Sequence, residues 1–216
     1  MVNSHSEATL TILSKAGGIA QDANTTLTSE IVDLTARNDI KNIHIASVGT
    51  ASRDAQGNVT SVTDNIRLSA VSSGKGDIDI TAVGGTLSNQ SLPGNVQIVQ
   101  LKCQDGSAAF SKQASLGDVT LNASGDITQS GSGTSVEGRG INLTSKNGSI
   151  GTSGQALIIA GSDLAYSTDR YGAQVNAQAN GSIYLAEVAE GGDMRVGTIM
   201  STTGDVSLTV ANGGFI

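Results

Sequence analysis

The stretch Gly117-Asp-Val-Thr-Leu-Asn-Ala-Ser-Gly-Asp-Ile-Thr-Gln-Ser130 contains one phrase twice: Gly-Asp, a β-branched residue, then a polar residue. Within it Val119, Leu121 and Ala123 alternate with Thr120, Asn122 and Ser124. One side is apolar and small, and the other carries hydroxyls and amides. That two-residue period belongs to a half-buried β-strand and not to a helix.

The phrase recurs outward in both directions. Apolar-x-apolar pairs stand at Leu10/Ile12, Val32/Leu34, Ile43/Ile45, Ile66/Leu68, Ile78/Ile80, Val96/Ile98, Val119/Leu121, Ile141/Leu143, Leu157/Ile159, Ile183/Leu185, Met194/Val196 and Val206/Leu208. Steps of 22 or 23 separate 10 from 32, 43 from 66, 96 from 119, 119 from 141, and 183 from 206. Half-steps of 11 or 12 separate 32 from 43, 66 from 78, and 194 from 206. Such a rhythm predicts coils of about 22 residues. Each coil would hold short strands that pair in parallel with their equivalents one coil away, stacking the inward Val, Ile and Leu into ladders. No stretch has a convincing helical period. Gly76-Asp77, Gly117-Asp118, Gly125-Asp126 and Gly204-Asp205 each precede an inward β-branched residue, and Asn147-Gly148, Asn180-Gly181 and Asn212-Gly213 do similar work. Glycine and asparagine reach positive φ cheaply, and aspartate closes turns onto its own backbone, so these read as corners.

Composition narrows the choice. Of 216 residues 38% are hydrophobic but only 2% aromatic, so aliphatic side chains must fill the core, as in a narrow solenoid. The net charge of -7, with Lys and Arg scattered, argues against nucleic acid and anionic membranes as partners, because phosphate contacts need grouped cations. No apolar run approaches the roughly 18 residues of a membrane span. Met1–Ser14 lacks the basic and apolar regions of a signal peptide. The single cysteine, Cys103, follows Val99 and Leu101 at alternate positions and reads as an inert buried thiol.

Three segments break the rhythm and are expected to be excursions: Ser47–Asp64, Thr86–Leu116 and Ser162–Asn180. The second holds a slip in alternation between Ile98 and Val99. The third has no clear apolar-x-apolar pair and carries Tyr166, Arg170 and Tyr171, the candidate binding residues. Excursions are where repeat scaffolds place function.

Catalytic and metal chemistry find little footing. Asp77, Asp118, Asp126 and Asp205 would form a calcium row if stacked, but the Gly-Gly-x-Gly-x-Asp repeat of such sites is missing, so turn formation is the simpler reading. Asp77 and Asp79 are one possible carboxylate pair for sugar hydrolysis, in a chain poor in the aromatic platforms and cations that saccharide sites use. His5 and His44 make no metal spacing. Seven Asn-x-Ser/Thr sequons are mostly turn chemistry. No enzyme activity, cofactor or metal is expected.

Gly117–Ile127, Gly140-Ile-Asn-Leu-Thr-Ser-Lys-Asn-Gly-Ser-Ile150 and Gly204-Asp-Val-Ser-Leu-Thr-Val-Ala-Asn-Gly-Gly-Phe-Ile216 together resemble the repeats of filamentous-haemagglutinin-type large exoproteins. The resemblance is good over Ser115–Ile216 and looser over Ala8–Thr86. It implies an all-β fold, a right-handed single-stranded parallel β-helix. It also implies a rigid stalk or binding segment of a secreted or surface bacterial adhesin, often exported by two-partner secretion. Its partners would be a protein or glycan on a host or neighbouring cell, and flanking modules of the same long chain. The family's N-terminal secretion motifs are absent, which points to an internal piece. The alternative is a β-helical protein that binds or cleaves polysaccharide.

Overall fold

The computed structural model describes residues 8–74, 76–87, 90–103, 117–133, 136–161, 174–187, 194–211 and 214. Among them the protein is all-β, with no helix. Two parallel sheets dominate. One runs in space through Thr9–Ser14, Ile31–Ala36, Ile66–Ser72, Val96–Cys103, Val136–Gly138, Leu157–Gly161, Ile183–Glu187 and Val206–Val210, with Ile127–Gln129 also paired to Val96–Cys103. The other runs through Ile19–Ala20, Ile40–Ala46, Ile78–Val83, Val119–Ala123, Ile141–Ser145, Val175–Ala179 and Val196–Ser201, with Leu27–Thr28 also paired to Ile40–Ala46. The chain passes back and forth between the two sheets and adds parallel strands to each. That is a β-helix-like, solenoid-like architecture.

Alternation builds the core. In the second sheet Ile78, Val119, Ile141 and Val175 lie in register, as do Ile80, Leu121, Leu143 and Ala177, and then Ala82, Ala123, Ser145 and Ala179. All of these face inward and are buried. Burying each large aliphatic side chain is worth about 1.5–3 kcal/mol. The third position is always small, because there the chain turns its corner: the Ser145 hydroxyl donates to Gly125 O at 2.7 Å. The outward residues form polar rows, such as Asp79, Thr120, Asn142 and Asn176. Asn176 Nδ2 donates to Asn142 Oδ1 at 2.9 Å, and Thr198 N donates to Asn176 Oδ1 at 2.8 Å.

Some of the sequence spacings are true strand registers and others are coincidence. Leu10 lies opposite Val32, Val119 opposite Ile141, and Ile183 opposite Val206. Ile43, however, pairs with Ile80 rather than with anything near 66, and Val96 pairs with Ile66 and Ile127 rather than with Val119. Inserted segments between the strands shift the count.

Within 47–64 lies an antiparallel hairpin, Thr50–Arg53 with Val59–Thr63. The 86–116 segment opens with a small hairpin, Thr86–Leu87 with Gln90–Ser91. Its Val96–Cys103 stretch, which carries the Val96/Ile98 pair, is an eight-residue strand inside the first sheet. The alternation slip is a β-bulge. Register shifts between Ile98 and Gln100, and Val99 turns outward at 42% exposure while Leu101 and Cys103 stay buried. In 162–180, Val175–Ala179 is a regular strand whose inward residues are Val175, Ala177 and Ala179. Alanine supplies too weak an apolar signal for that strand to stand out in the sequence.

Candidate functional site

Tyr166, Arg170 and Tyr171 lie outside the described residues, as does His5. The described part offers three other places where polar chemistry concentrates: the corners, a buried acid beside the first hairpin, and a cleft on the first sheet.

The corner aspartates do not sit in one row. Asp39, Asp77 and Asp118 stack where the chain enters the second sheet. Asp77 N donates to Asp39 Oδ1, Asp118 N to Asp77 Oδ1, and Gly140 N to Asp118 Oδ1, each at 3.0 Å. Asp126 and Asp205 belong to a separate row at the entrance to the first sheet. There Asp126 N donates to Asn95 Oδ1 at 2.8 Å, Ser149 N to Asp126 Oδ1 at 2.6 Å, Ser182 N to Ser149 Oγ at 3.0 Å, and Asp205 N to Ser182 Oγ at 3.1 Å. The side chains of Asp39, Asp77, Asp118 and Asp126 thus cap the backbone of the next coil.

The preceding glycines are needed for closeness rather than for positive φ. A Cβ on Gly117 would lie 2.2 Å from Gly76 O, and one on Gly204 2.4 Å from Ser182 Oγ. Positive φ occurs elsewhere, at Gly49, Gly57, Gly94, Gly151 and Asn42.

The stacked carboxylates are neutralised within the row. Lys41 Nζ lies 3.0 Å from Asp39 and 3.2 Å from Asp77. Arg139 grips Asp118 with Nε and Nη2, both at 2.9 Å. The Arg139 hydrogen bonds pull the Asp118 carboxyl below its usual range, against an opposing effect of burial. The hydrogen bond from Lys41 does the same for Asp39. These oxygens are engaged by N–H groups, and no three His, Cys, Asp or Glu side chains among the described residues are arranged to hold a metal ion. Asp79 faces outward in register with Thr120, while the Asp77 carboxylate is held by Lys41 and Asp118 N, so the two do not act as a free carboxylate pair.

Asp64 is different. It is 3% exposed, takes a hydrogen bond from the Ser47 hydroxyl and another from Gly94 N, and so ties the base of the Thr50–Thr63 hairpin to the Pro93-Gly94 turn. Burial pushes its carboxyl up, with the backbone donors of Gly94 and Asn95 opposing. Cys103 is fully buried, and desolvation, helped by the charges of Asp77 and Asp118, pushes its thiol up to about 12. Its burial is what its alternation predicted.

The cleft arises from a missing rung. After Gln129 the chain leaves the first sheet, and it returns at Val136; both ends pair with the one long strand Val96–Cys103. The Gln129 side chain stands in for the absent backbone. Its Oε1 accepts from Ile158 N at 2.7 Å and its Nε2 donates to Gly131 O at 2.6 Å. Gln155 Nε2 donates to the same carbonyl at 2.9 Å. Between the 130–133 and 152–156 segments lies an open cleft of about 470 Å³, lined by Gln129, Ser132, Gly154, Gln155, Ala156, Ile158 and Ala186. The sequence signal for it was the run Ser130-Gly-Ser-Gly-Thr134, five residues with no apolar side chain between two β phrases.

Fold and corners together define a parallel β-solenoid-like protein. No protein-family profile, curated protein or solved structure matches the chain.

Proposed function

We propose that the chain is a rigid segment of a secreted or surface-exposed bacterial adhesin, a right-handed parallel β-helix with coils of about 22 residues enlarged where loops are inserted. The observation that carries this reading is the pair of corner rows. Side-chain-to-backbone hydrogen bonds run from coil to coil alongside the sheet hydrogen bonds, so sliding one coil over another breaks several bonds at once. That suits a stiff spacer. Strand registers of 22 and 23 residues, as in Leu10 to Val32 and Ile183 to Val206, support the coil size. Crossovers between parallel strands of one sheet are right-handed in about 98% of cases, which supports the hand. The repeats' resemblance to haemagglutinin-type exoproteins supports the adhesive role. Contacts with a protein or glycan on another cell come from segments that leave the coil pattern, Tyr166, Arg170 and Tyr171 first among them.

The test is binding of chain-coated beads to epithelial and bacterial cells. The doubly substituted Tyr166→Ala/Tyr171→Ala protein is expected to fold normally and to lose adhesion; undiminished adhesion would remove those residues from the reading. A second reading, a polysaccharide-binding β-helix, is favoured by the uncharged cleft on the first sheet.

A further inference from the structure

We infer that the cleft between residues 130–133 and 152–156 is a subsite for one pyranose unit of a neutral glycan. This deepens the glycan-binding side of the proposed function and rests on that reading only for its biological setting.

The walls specify the ligand. The floor is apolar: Ile158 and Ala186 are outward residues of neighbouring strands and lie directly in register. Among the described residues the rim is polar and uncharged, with the exposed Gln155 side chain and Ser132 hydroxyl open to a ligand and the buried Gln129 amide held by its backbone partners. None of the described lining residues is ionisable, although the chain as a whole carries a net charge of -7. An ionic ligand would lose hydration here and meet no counter-charge. A purely apolar ligand would cover the exposed Gln155 and Ser132 side chains without pairing them. A pyranose ring meets both demands, with a C–H face for the floor and hydroxyls around its edge for the rim.

The cleft is also held in shape before any ligand arrives. Gln129 is 4% exposed and fixed by backbone partners at both ends of its amide. Gln155 is fixed to Gly131 O, and its own backbone pairs with Thr152 in a tight turn, N to O at 3.1 Å and back at 2.9 Å. Preorganisation of this kind lowers the ordering cost of binding. Gly131 and Gly154 have open space where a Cβ would stand. The volume of about 470 Å³ falls within the size range of small-ligand clefts. Among the described residues no aromatic platform lines it, so weak affinity for one unit is expected, and repeated display of the chain on a surface is what makes such a site effective.

The experiment is an NMR titration of the full chain with three neutral probes, cellotetraose, maltotetraose and chitotetraose, and one acidic probe, tetragalacturonate. At least one neutral probe is expected to shift the amide signals of Gln129, Gln155 and Ile158 at millimolar concentration. Gly154→Trp, placed in open space, and Ala186→Trp, on the floor, are each expected to weaken that response at least tenfold with unchanged circular dichroism. Should Ala186→Trp fail to fold, Gly154→Trp alone decides. No shift with any neutral probe, a stronger response to the acidic one, or an undiminished response in Gly154→Trp would overturn the subsite. Glycan binding without bead adhesion would instead sink the adhesive reading and leave the subsite standing.

Discussion

Asp118 donates its backbone N–H to the carboxylate of Asp77 at 3.0 Å, across 41 residues of chain. Asp118 then offers its own carboxylate to Gly140 N, while Arg139, the residue just before, clamps the same carboxylate with two bonds. One side chain therefore links two coils and carries its counter-ion in the second. Replacing Asp118 by Ala is expected to lower stability by about 1 kcal/mol, since it removes the acceptor of Gly140 N and a half-exposed ion pair with Arg139. Asp118→Asn keeps an acceptor for Gly140 N and is expected to cost about half as much. Urea midpoints for the two variants check the order, and equal stabilities would mean that the corner hydrogen bond contributes nothing.

The glycine ahead of each corner is a packing requirement. Gly117→Ala pushes a Cβ against Gly76 O and Gly76 C at 2.2 and 2.5 Å, and backbone cannot step aside as a flexible side chain can. A loss of about 1–3 kcal/mol is expected, as for other overpacked sites. Gly131→Ala, with nothing within 4 Å, is the control. It is expected to be neutral or to stabilise by about 0.4–1 kcal/mol through the unfolded chain. Thermal melts of the pair separate crowding from any general intolerance of side chains at glycine positions.

Two classes of carboxylate give opposite pH behaviour. Asp39 and Asp118 have folded values lowered from 3.8, so their contribution is present above that value and lost as pH falls through the folded values. Asp64 has a folded value raised from 3.8, so its contribution is full below 3.8 and is lost as pH rises through the folded value. Asp64→Asn keeps an acceptor for Gly94 N and a partner for Ser47 without a charge. Relative to the wild type, this variant is expected to gain stability as pH rises above about 4, while Asp118→Asn is expected to be less stable above about pH 4, with its deficit shrinking as pH falls below that value. Urea midpoints on both sides of that value test the signs, and parallel curves for all three proteins would contradict both assignments.

Cys103 packs in register with Ser72 and is fully buried. With its thiol at about 12, reaction with Ellman's reagent is expected only through unfolding, so the rate should track stability when urea is added. Prompt labelling in native buffer would show that the strand end opens locally.

The architecture was legible because it depends on short-range alternation. Val119, Leu121 and Ala123 announce their burial in five residues, and the parallel partners repeat the announcement. What stayed hidden depends on contacts across coils. The Gly-Asp phrase looks the same whether the acid turns onto its own backbone or reaches the next coil, and only the stacking decides. Nothing in one dimension shows that Asp126 leads to Ser149 and Asp118 to Gly140, because serine and a bare N–H continue the two rows as well as aspartate does. The cleft was hidden for another reason. Its walls are glycine, serine and glutamine, residue types that carry no periodic signal, and its floor is the outward half of strands noticed for their inward half.

The bulge at Val99 offers the sharpest test of register. Val96 and Ile98 face inward, Val99 and Gln100 do not, and Leu101 and Cys103 face inward again. The neighbouring strand Ile66–Ser72 has seven residues against eight in Val96–Cys103, so Val99 is the unmatched one. Deleting Val99 leaves Val96, Ile98, Leu101 and Cys103 at alternate positions, each opposite its present partner. On the other flank the break between Gln129 and Val136 can take up the one-residue change. The deletion is therefore expected to be tolerated, with stability within about 1 kcal/mol of the parent, since it removes an exposed apolar residue and no core contact. Deleting Thr120 from the unbulged strand Val119–Ala123 turns Leu121 outward and Asn122 inward, and is expected to abolish cooperative unfolding. Expression and urea denaturation of the two single-residue deletions compare them directly. If the Val99 deletion proved as damaging as the Thr120 deletion, the bulge would be holding more of the sheet together than its exposed side chain shows.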